Sequence, residues 1–215
     1  MSLVKAQNLN KGTYEISSHV MHENELISYE PDQEITNAIV RTGMLISNCK
    51  KTKKDPMIIN MYFPGDVISY DAMKVNDCDQ MEYKSIETSS LCFLDSAALQ
   101  YHHSLQVDSL QKQLYFSNEG LMFKQMLLNQ RNPMKRVAFF IINIINKKQL
   151  EEFDNIQLKI NLSRKQIGMY LGLVEESIVR ALRKLYQMDL LMVNTRNYLI
   201  PSYKKLLEFY KNPDN

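Results

Sequence analysis

The chain contains no tryptophan, and its 215 residues include only six glycines, six prolines and three cysteines. Cys49, Cys78 and Cys92 form an odd, scattered set, so no disulfide framework is expected. No run of roughly 18 apolar residues is present, which leaves no candidate for a membrane-spanning helix. The opening residues, Met1 to Asn8, lack the apolar stretch of a signal peptide. A cytoplasmic protein with no membrane partner is expected. Catalytic signatures are missing too. His19, His22, His102 and His103 are the four histidines, and no HExxH, GxSxG or phosphate-loop pattern accompanies them. An enzyme is therefore not expected.

What is present is enough apolar material for a core, 45% of residues, and a marked charge asymmetry. Residues 1–130 carry 11 Lys and Arg against 16 Asp and Glu, whereas residues 131–215 carry 15 against 8. A basic C-terminal third beside an acidic remainder suggests two domains, one of which meets a polyanion.

Residues 14–95 read as short strands: Tyr14–Ile16, Glu25–Tyr29, Ala38–Thr42, Met44–Asn48, Ile58–Tyr62, Val67–Tyr70, Tyr83–Thr88 and Leu91–Leu94. Turn residues separate them, among them Pro31-Asp32 and Pro64-Gly65-Asp66. Such spacing predicts a sandwich or a barrel, with the lysine run from Lys50 to Lys54 as a solvated hairpin tip. After residue 95 the period changes. Val107, Leu110, Leu114, Ser117 and Leu121 step by three and four along one helix face. Tyr115, Phe116, Met122, Phe123, Met126 and Leu127 make a second apolar strip. A helix apolar on two faces needs two partners, and a second copy of the chain is the expected one. Pro133 then opens a helix with Val137, Phe140, Ile141, Ile144 and Ile145 inward. Residues 149–161 read as an irregular or extended link.

The informative stretch runs from Leu162 to Leu185. Ser163 is a candidate helix cap, with Gln166 three residues on to close a capping box. Gly172 allows a tight turn after Ile167, Tyr170 and Leu171. A second helix follows with Ile178, Ala181, Leu182 and Leu185 inward. Two short helices joined by a glycine turn make a helix-turn-helix, whose second helix fits the DNA major groove. That helix presents Glu175, Glu176, Val179, Arg180 and Arg183 outward. Arginine recognises guanine O6 and N7, and glutamate accepts from the cytosine N4 amine. Glu176 and Arg180, four apart, would equally form an ordinary intrahelical ion pair. Leu190–Val193 and Tyr198–Ile200 flank Asn194 to Asn197 as a hairpin, the wing of a winged helix. Arg196 at its tip, with Arg164 and Lys165 at the first helix, would reach phosphates, which position a protein on DNA without reading sequence.

These motifs resemble the Crp/Fnr family of bacterial transcription regulators over roughly residues 20–200. Leu162-Ser-Arg-Lys-Gln-Ile-Gly-Met-Tyr-Leu-Gly-Leu resembles the family's first DNA-binding helix and turn. Glu176-Ser-Ile-Val-Arg180 resembles its recognition core. Asn132-Pro-Met-Lys-Arg-Val-Ala-Phe-Phe-Ile resembles the helix that follows dimerisation. Phe63-Pro-Gly-Asp-Val-Ile-Ser-Tyr-Asp-Ala and Ile86-Glu-Thr-Ser-Ser-Leu-Cys92 resemble the β-roll of the oxygen-sensing branch.

The resemblance implies an α+β chain. It would comprise an N-terminal double-stranded β-helix (a cyclic-nucleotide-binding-like β-roll) over 1–95, a long dimerisation helix over 96–131 and a winged helix-turn-helix over 132–215. It also implies a homodimer on a palindromic double-stranded DNA operator, contact with RNA polymerase, and service as an activator. Glu176 and Arg180 would read bases, with Val179 against a thymine methyl, on a half-site like TTGA or TGTGA. Ser163, Arg164, Lys165, Ser177, Arg183 and Arg196 would touch phosphates. Val107, Leu110, Leu114, Ser117 and Leu121 would form the dimer seam. The alternative is a winged-helix module that binds protein rather than DNA.

The chain departs from the family at four points, one of them Val179, where the family often has Ser or Gly. Val174 stands where the family caps its recognition helix with Thr or Ser, which removes about 1 kcal/mol of capping. Glu175 and Glu176 partly offset that through the helix dipole. The stretch Cys78-Asp-Gln-Met-Glu-Tyr-Lys-Ser85 lacks the arginine that holds a cyclic nucleotide's phosphate, and Lys84 offers no bidentate fork. Cys92 matches one iron–sulfur ligand without the others. No cofactor is therefore expected, neither cyclic AMP nor an iron–sulfur cluster, and the sequence names no small-molecule effector.

Overall fold

The protein is described here from a computed structural model, for residues 17–29, 37–51, 54–68, 80–94 and 123–212. The chain divides into two compact units, Met1–Gly120 and Leu121–Asn215.

In the first unit eight strands follow one another: β1 (Ser17–Met21), β2 (Leu26–Tyr29), β3 (Asn37–Thr42), β4 (Leu45–Lys51), β5 (Lys54–Tyr62), β6 (Val67–Ile68), β7 (Gln80–Ser85) and β8 (Ser89–Leu94). They form two antiparallel sheets of order β1-β8-β3-β6 and β2-β7-β4-β5. Every strand sends a side chain into one shared core: Met21, Ile27, Val40, Leu45, Tyr62, Ile68, Tyr83 and Leu91. Alternation along each strand produces this, since residues two apart share a face. Among the described residues the sheets do not close into a barrel. β4 and β5 meet with Lys51 opposite Lys54, and residues 52–53 between them, where the tip is expected, lie outside the described residues. Lys50 beside Lys51 pairs with Glu82 on the neighbouring strand at 3.3 Å.

Two details differ from expectation. The strand expected at Tyr14–Ile16 lies outside the described residues, and β1 begins at Ser17, where no strand is expected. Ser17 and Ser18 weaken the local strand signal; pairing with β8 supplies it instead. Cys49, buried on β4, is disulfide-bonded, whereas Cys92 on β8 is free and buried. No disulfide framework was expected, and this is corrected at Cys49; its partner lies outside the described residues.

Between β3 and β4 the chain turns at Gly43, with φ +86°. A Cβ there would lie 2.2 Å from Ser89 Oγ and 2.6 Å from the Thr88 carbonyl oxygen. Ser89 is itself held: the Met44 N–H donates to its hydroxyl at 3.1 Å, and the hydroxyl donates to the Glu87 carbonyl at 2.6 Å.

The second unit begins with a helical segment, residues 123–129. Then come α1 (Pro133–Lys147), β9 (Asp154–Lys159), α2 (Arg164–Leu171), α3 (Glu175–Gln187), β10 (Met192–Asn194), β11 (Asn197–Ser202) and α4 (Tyr203–Lys211). Asn132 caps α1 by accepting from the Met134 N–H at 2.9 Å, and Pro133 fills the first position. Val137, Phe140, Ile141, Ile144 and Ile145 are all buried, and α1 packs against α2, α3 and α4. Residues 123–129 join this core. Leu127 is fully buried, and Phe123 begins an aromatic stack through Phe139 to Tyr210, with ring centroids 4.8 and 4.7 Å apart. The rest of the expected dimerisation helix, including Val107, Leu110, Leu114, Ser117 and Leu121, lies outside the described residues.

Replacing Gly43 with alanine is expected to destabilise the N-terminal unit by about 2 kcal/mol or more, combining left-handed strain with the Ser89 clash. Denaturant unfolding followed by circular dichroism checks it; an unchanged midpoint would contradict the packing at this turn.

Candidate nucleic-acid interface

The interface is built from two helix ends and a hairpin. At the start of α2 the capping box forms in full: the Gln166 N–H donates to Ser163 Oγ at 3.1 Å, and the Ser163 N–H donates to Gln166 Oε1 at 2.9 Å. Gly172 ends the helix in the left-handed conformation, with φ 62°. Its N–H and that of Leu173 return to carbonyls of the last turn. The chain is then free to re-enter a helix at Glu175 with a new direction.

One side chain holds this turn in place. Arg136 on α1 directs its guanidinium at the carbonyl ends of two helices. It donates to Leu171 and Gly172 at 2.9 and 3.3 Å, and to Leu128 and Gln130 at 3.1 and 2.6 Å. Helix C-termini leave unpaired carbonyls with partial negative charge, and a forked cation satisfies several at once. Its neighbour Lys135 is buried and donates to the carbonyl of Asn212, the cap of α4. Two consecutive basic residues thus close helix ends on different sides of α1. The sequence reading missed both roles, since nothing local distinguishes them from solvated charges.

On α3 the expected inward residues, Ile178, Ala181, Leu182 and Leu185, are buried. Val174 occupies the cap position without a side-chain hydrogen bond, and Glu175 and Glu176 stand in the first turn. Glu176, Val179, Arg180 and Arg183 are exposed on the outer face. Arg180 Nη2 donates to the Ser177 hydroxyl at 3.3 Å, and no ion pair joins it to Glu176. The carboxylate and the guanidinium therefore face solvent separately.

The wing is a three-stranded sheet of order β10-β11-β9. The expected hairpin is there, with Asn194 opposite Asn197 around the turn Thr195-Arg196. Its third strand, β9, comes from the segment read as an irregular or extended link. Ile156 and Leu158 alternate inward along it, a strand signal too short to stand out without its partner β11. Helix α4 was not anticipated either, although Leu206 and Phe209 are spaced to bury one face and Ser202 caps it.

Arg164 and Arg196, expected on equal terms, sit differently. Arg196 is exposed at the wing tip, and its carbonyl accepts from the Ile160 N–H at 2.8 Å. Arg164 is half-buried and turned onto the wing. It donates to the Tyr198 hydroxyl and, at 2.9 Å, to the Thr195 carbonyl, with its guanidinium 5.3 Å from the Tyr198 ring centre. Burial pushes the Tyr198 phenol above its usual range, and Arg164 draws it part of the way back. Ser163 and Lys165 are exposed beside it.

A helix-turn-helix backed by a three-stranded wing, carried on a chain that also holds a two-sheet β domain, defines the class: a winged-helix DNA-binding regulator with a β-roll-type domain. Residues 135–209 match the profile of the Crp-like helix-turn-helix domain. The chain is 28% identical over 171 residues to Electron transport regulator A of Shewanella oneidensis, covering 78% of this chain and 68% of that protein. It is 27% identical over 173 residues to the fumarate and nitrate reduction regulatory protein of Vibrio cholerae, covering 79% and 68%. The structure of FixK2 from Bradyrhizobium japonicum shares the fold, with a TM-score of 0.68 at 21% identity over 90% of this chain and 96% of that one. The chain is thus similar to Crp/Fnr-type transcription regulators over most of its length, and its residues 135–209 match their helix-turn-helix domain.

An iron–sulfur cluster does not fit the described residues. Cys92 is a buried β8 residue, Cys49 is disulfide-bonded, and no group of three or more His, Cys, Asp or Glu stands together. His19 pairs instead with Glu25 at 3.6 Å. Among the described residues no helix is long and apolar enough to cross a membrane.

Two substitutions test the local energetics. Val174→Ser supplies the missing cap and should raise the stability of the C-terminal unit by about 0.5–1 kcal/mol. Arg136→Met strands four carbonyls and should lower it by about 2–3 kcal/mol. Denaturant titrations measure both; equal stabilities would show that neither helix end limits the fold.

Proposed function

We propose that this chain works as a homodimer on an inverted-repeat operator, with α3 of each protomer in a major groove. Glu176 and Arg180 read a G·C pair and its neighbour, and Val179 lies against a thymine methyl, on half-sites like TTGA or TGTGA. The observation that carries this reading is the outer face of α3, where carboxylate and guanidinium are exposed and unpaired with each other. An intrahelical ion pair would instead have had to open or share its atoms to bond a base. Ser163, Lys165, Ser177, Arg183 and Arg196 approach phosphates around it. The protomers join through the helix bearing Val107, Leu110, Leu114, Ser117 and Leu121, and half-sites one helical turn apart match such a two-fold. As an activator the dimer contacts RNA polymerase. In this reading neither cyclic AMP nor an iron–sulfur cluster is required for DNA binding, and the protein is cytoplasmic and without catalytic activity.

Genome-wide mapping of binding sites, with Arg180→Ala as comparison, tests it. Wild-type sites should share an inverted repeat with an essential G·C pair, which Arg180→Ala loses at a cost of about 1–3 kcal/mol. Binding to a duplex in vitro should fall steeply with salt. Sites without a common repeat, or an Arg180→Ala map identical to wild type, would refute the reading.

A further inference from the structure

The wing turn is held in a conformation its own residues disfavour. Thr195 has φ 56°, in the left-handed region that a β-branched side chain rarely occupies. A residue so placed stays there only when its surroundings over-determine it. Two bonds from outside the hairpin do so. Arg164 Nη2 takes the Thr195 carbonyl, and the Ile160 N–H takes the Arg196 carbonyl. Arg164 is anchored in turn by the Tyr198 hydroxyl and the ring beneath it. Because Arg164 opens α2, the wing turn is fastened directly to the first helix of the helix-turn-helix.

We infer that Arg164 is a positioning residue rather than a phosphate contact: it clasps the strained wing turn so that Arg196 meets a DNA phosphate. The inference rests on the DNA-binding reading above and assigns Arg164 a different part in it. The Arg164 guanidinium is held in place by a carbonyl, a phenol and a ring face that turn it onto the wing, whereas Arg196 is exposed beside the carbonyl that the clasp controls. Lysine cannot reproduce the clasp, because a point charge lacks the fork that reaches two acceptors.

A double-mutant cycle on the full-length protein tests this, using a duplex with two inverted TTGA half-sites and a salt titration. Arg164→Lys and Arg164→Met should each weaken binding by about tenfold, as Arg196→Ala does. Arg164→Met combined with Arg196→Ala should be no weaker than Arg196→Ala alone. Losses that multiply, or full binding by Arg164→Lys, would overturn the inference. Tyr198→Phe removes no charge, yet it should weaken binding roughly threefold and lower the salt slope by up to about one, a change that simple destabilisation does not produce. It serves also if Arg164→Met fails to fold, and an unaltered slope counts against the clasp. Amide hydrogen exchange separates the two readings without DNA. Exchange across residues 194–198 should quicken in Arg164→Lys while α3 is unchanged, and unchanged exchange in the turn refutes the clasp. Wild-type protein that binds no duplex would refute the DNA reading, leaving the exchange result to decide the clasp.

Discussion

Helix ends need partners, and in the C-terminal unit three carbonyl ends meet that need through side chains from α1. Arg136 gathers carbonyls from the end of the 123–129 segment and from the end of α2. The turn that aims α3 is therefore tied to the chain that leads into the domain. Without such a cation four carbonyls would crowd together with their negative ends aligned. With it, the close approach of three backbone segments becomes favourable, and the rest of the domain is arranged around that point. Gly172 is part of the same solution. A Cβ there would sit 3.3 Å from Leu128 and 3.7 Å from the Arg136 guanidinium, and the left-handed φ already disfavours any side chain.

The wing obeys the same logic. Its turn is strained at Thr195 and held by Arg164 from α2, while β9 supplies a third strand and a second tether through Ile160. The surface offered to DNA is thus a set of elements fastened by arginines from behind. The basic residues divide accordingly. Arg136, Lys135 and Arg164 bond backbone carbonyls of the fold, and Arg180, Arg183 and Arg196 are exposed. A net positive count over the domain cannot distinguish the two groups, although only the second raises the local potential seen by a polyanion without first serving the structure.

Much of this was legible in the residues because it is local. Ser163 and Gln166 three apart close a capping box wherever a helix starts. Glycine at 172 marks a left-handed cap, and Ile178, Ala181, Leu182 and Leu185 mark an inward face. Seven of the eight strands described in the first unit overlap an expected run, though their ends differ. β1 carries serines where strand formers would announce it, and its pairing with β8 spans most of the unit. β9 escaped notice because its alternation is short and its partner lies some forty residues on.

By itself, then, the sequence determined the class of protein: two periods, 2 and 3.6, in two stretches, a capped helix pair joined by glycine, and an outward glutamate and arginine four apart. Each rests on interactions between residues a turn or a hairpin away, so each can be read along the chain. Tertiary structure alone decided which basic residues remain free. Whether an arginine meets DNA or a carbonyl depends on what the fold brings within 3 Å of it, and for Arg136 and Arg164 those partners lie some 35 and 31 residues away.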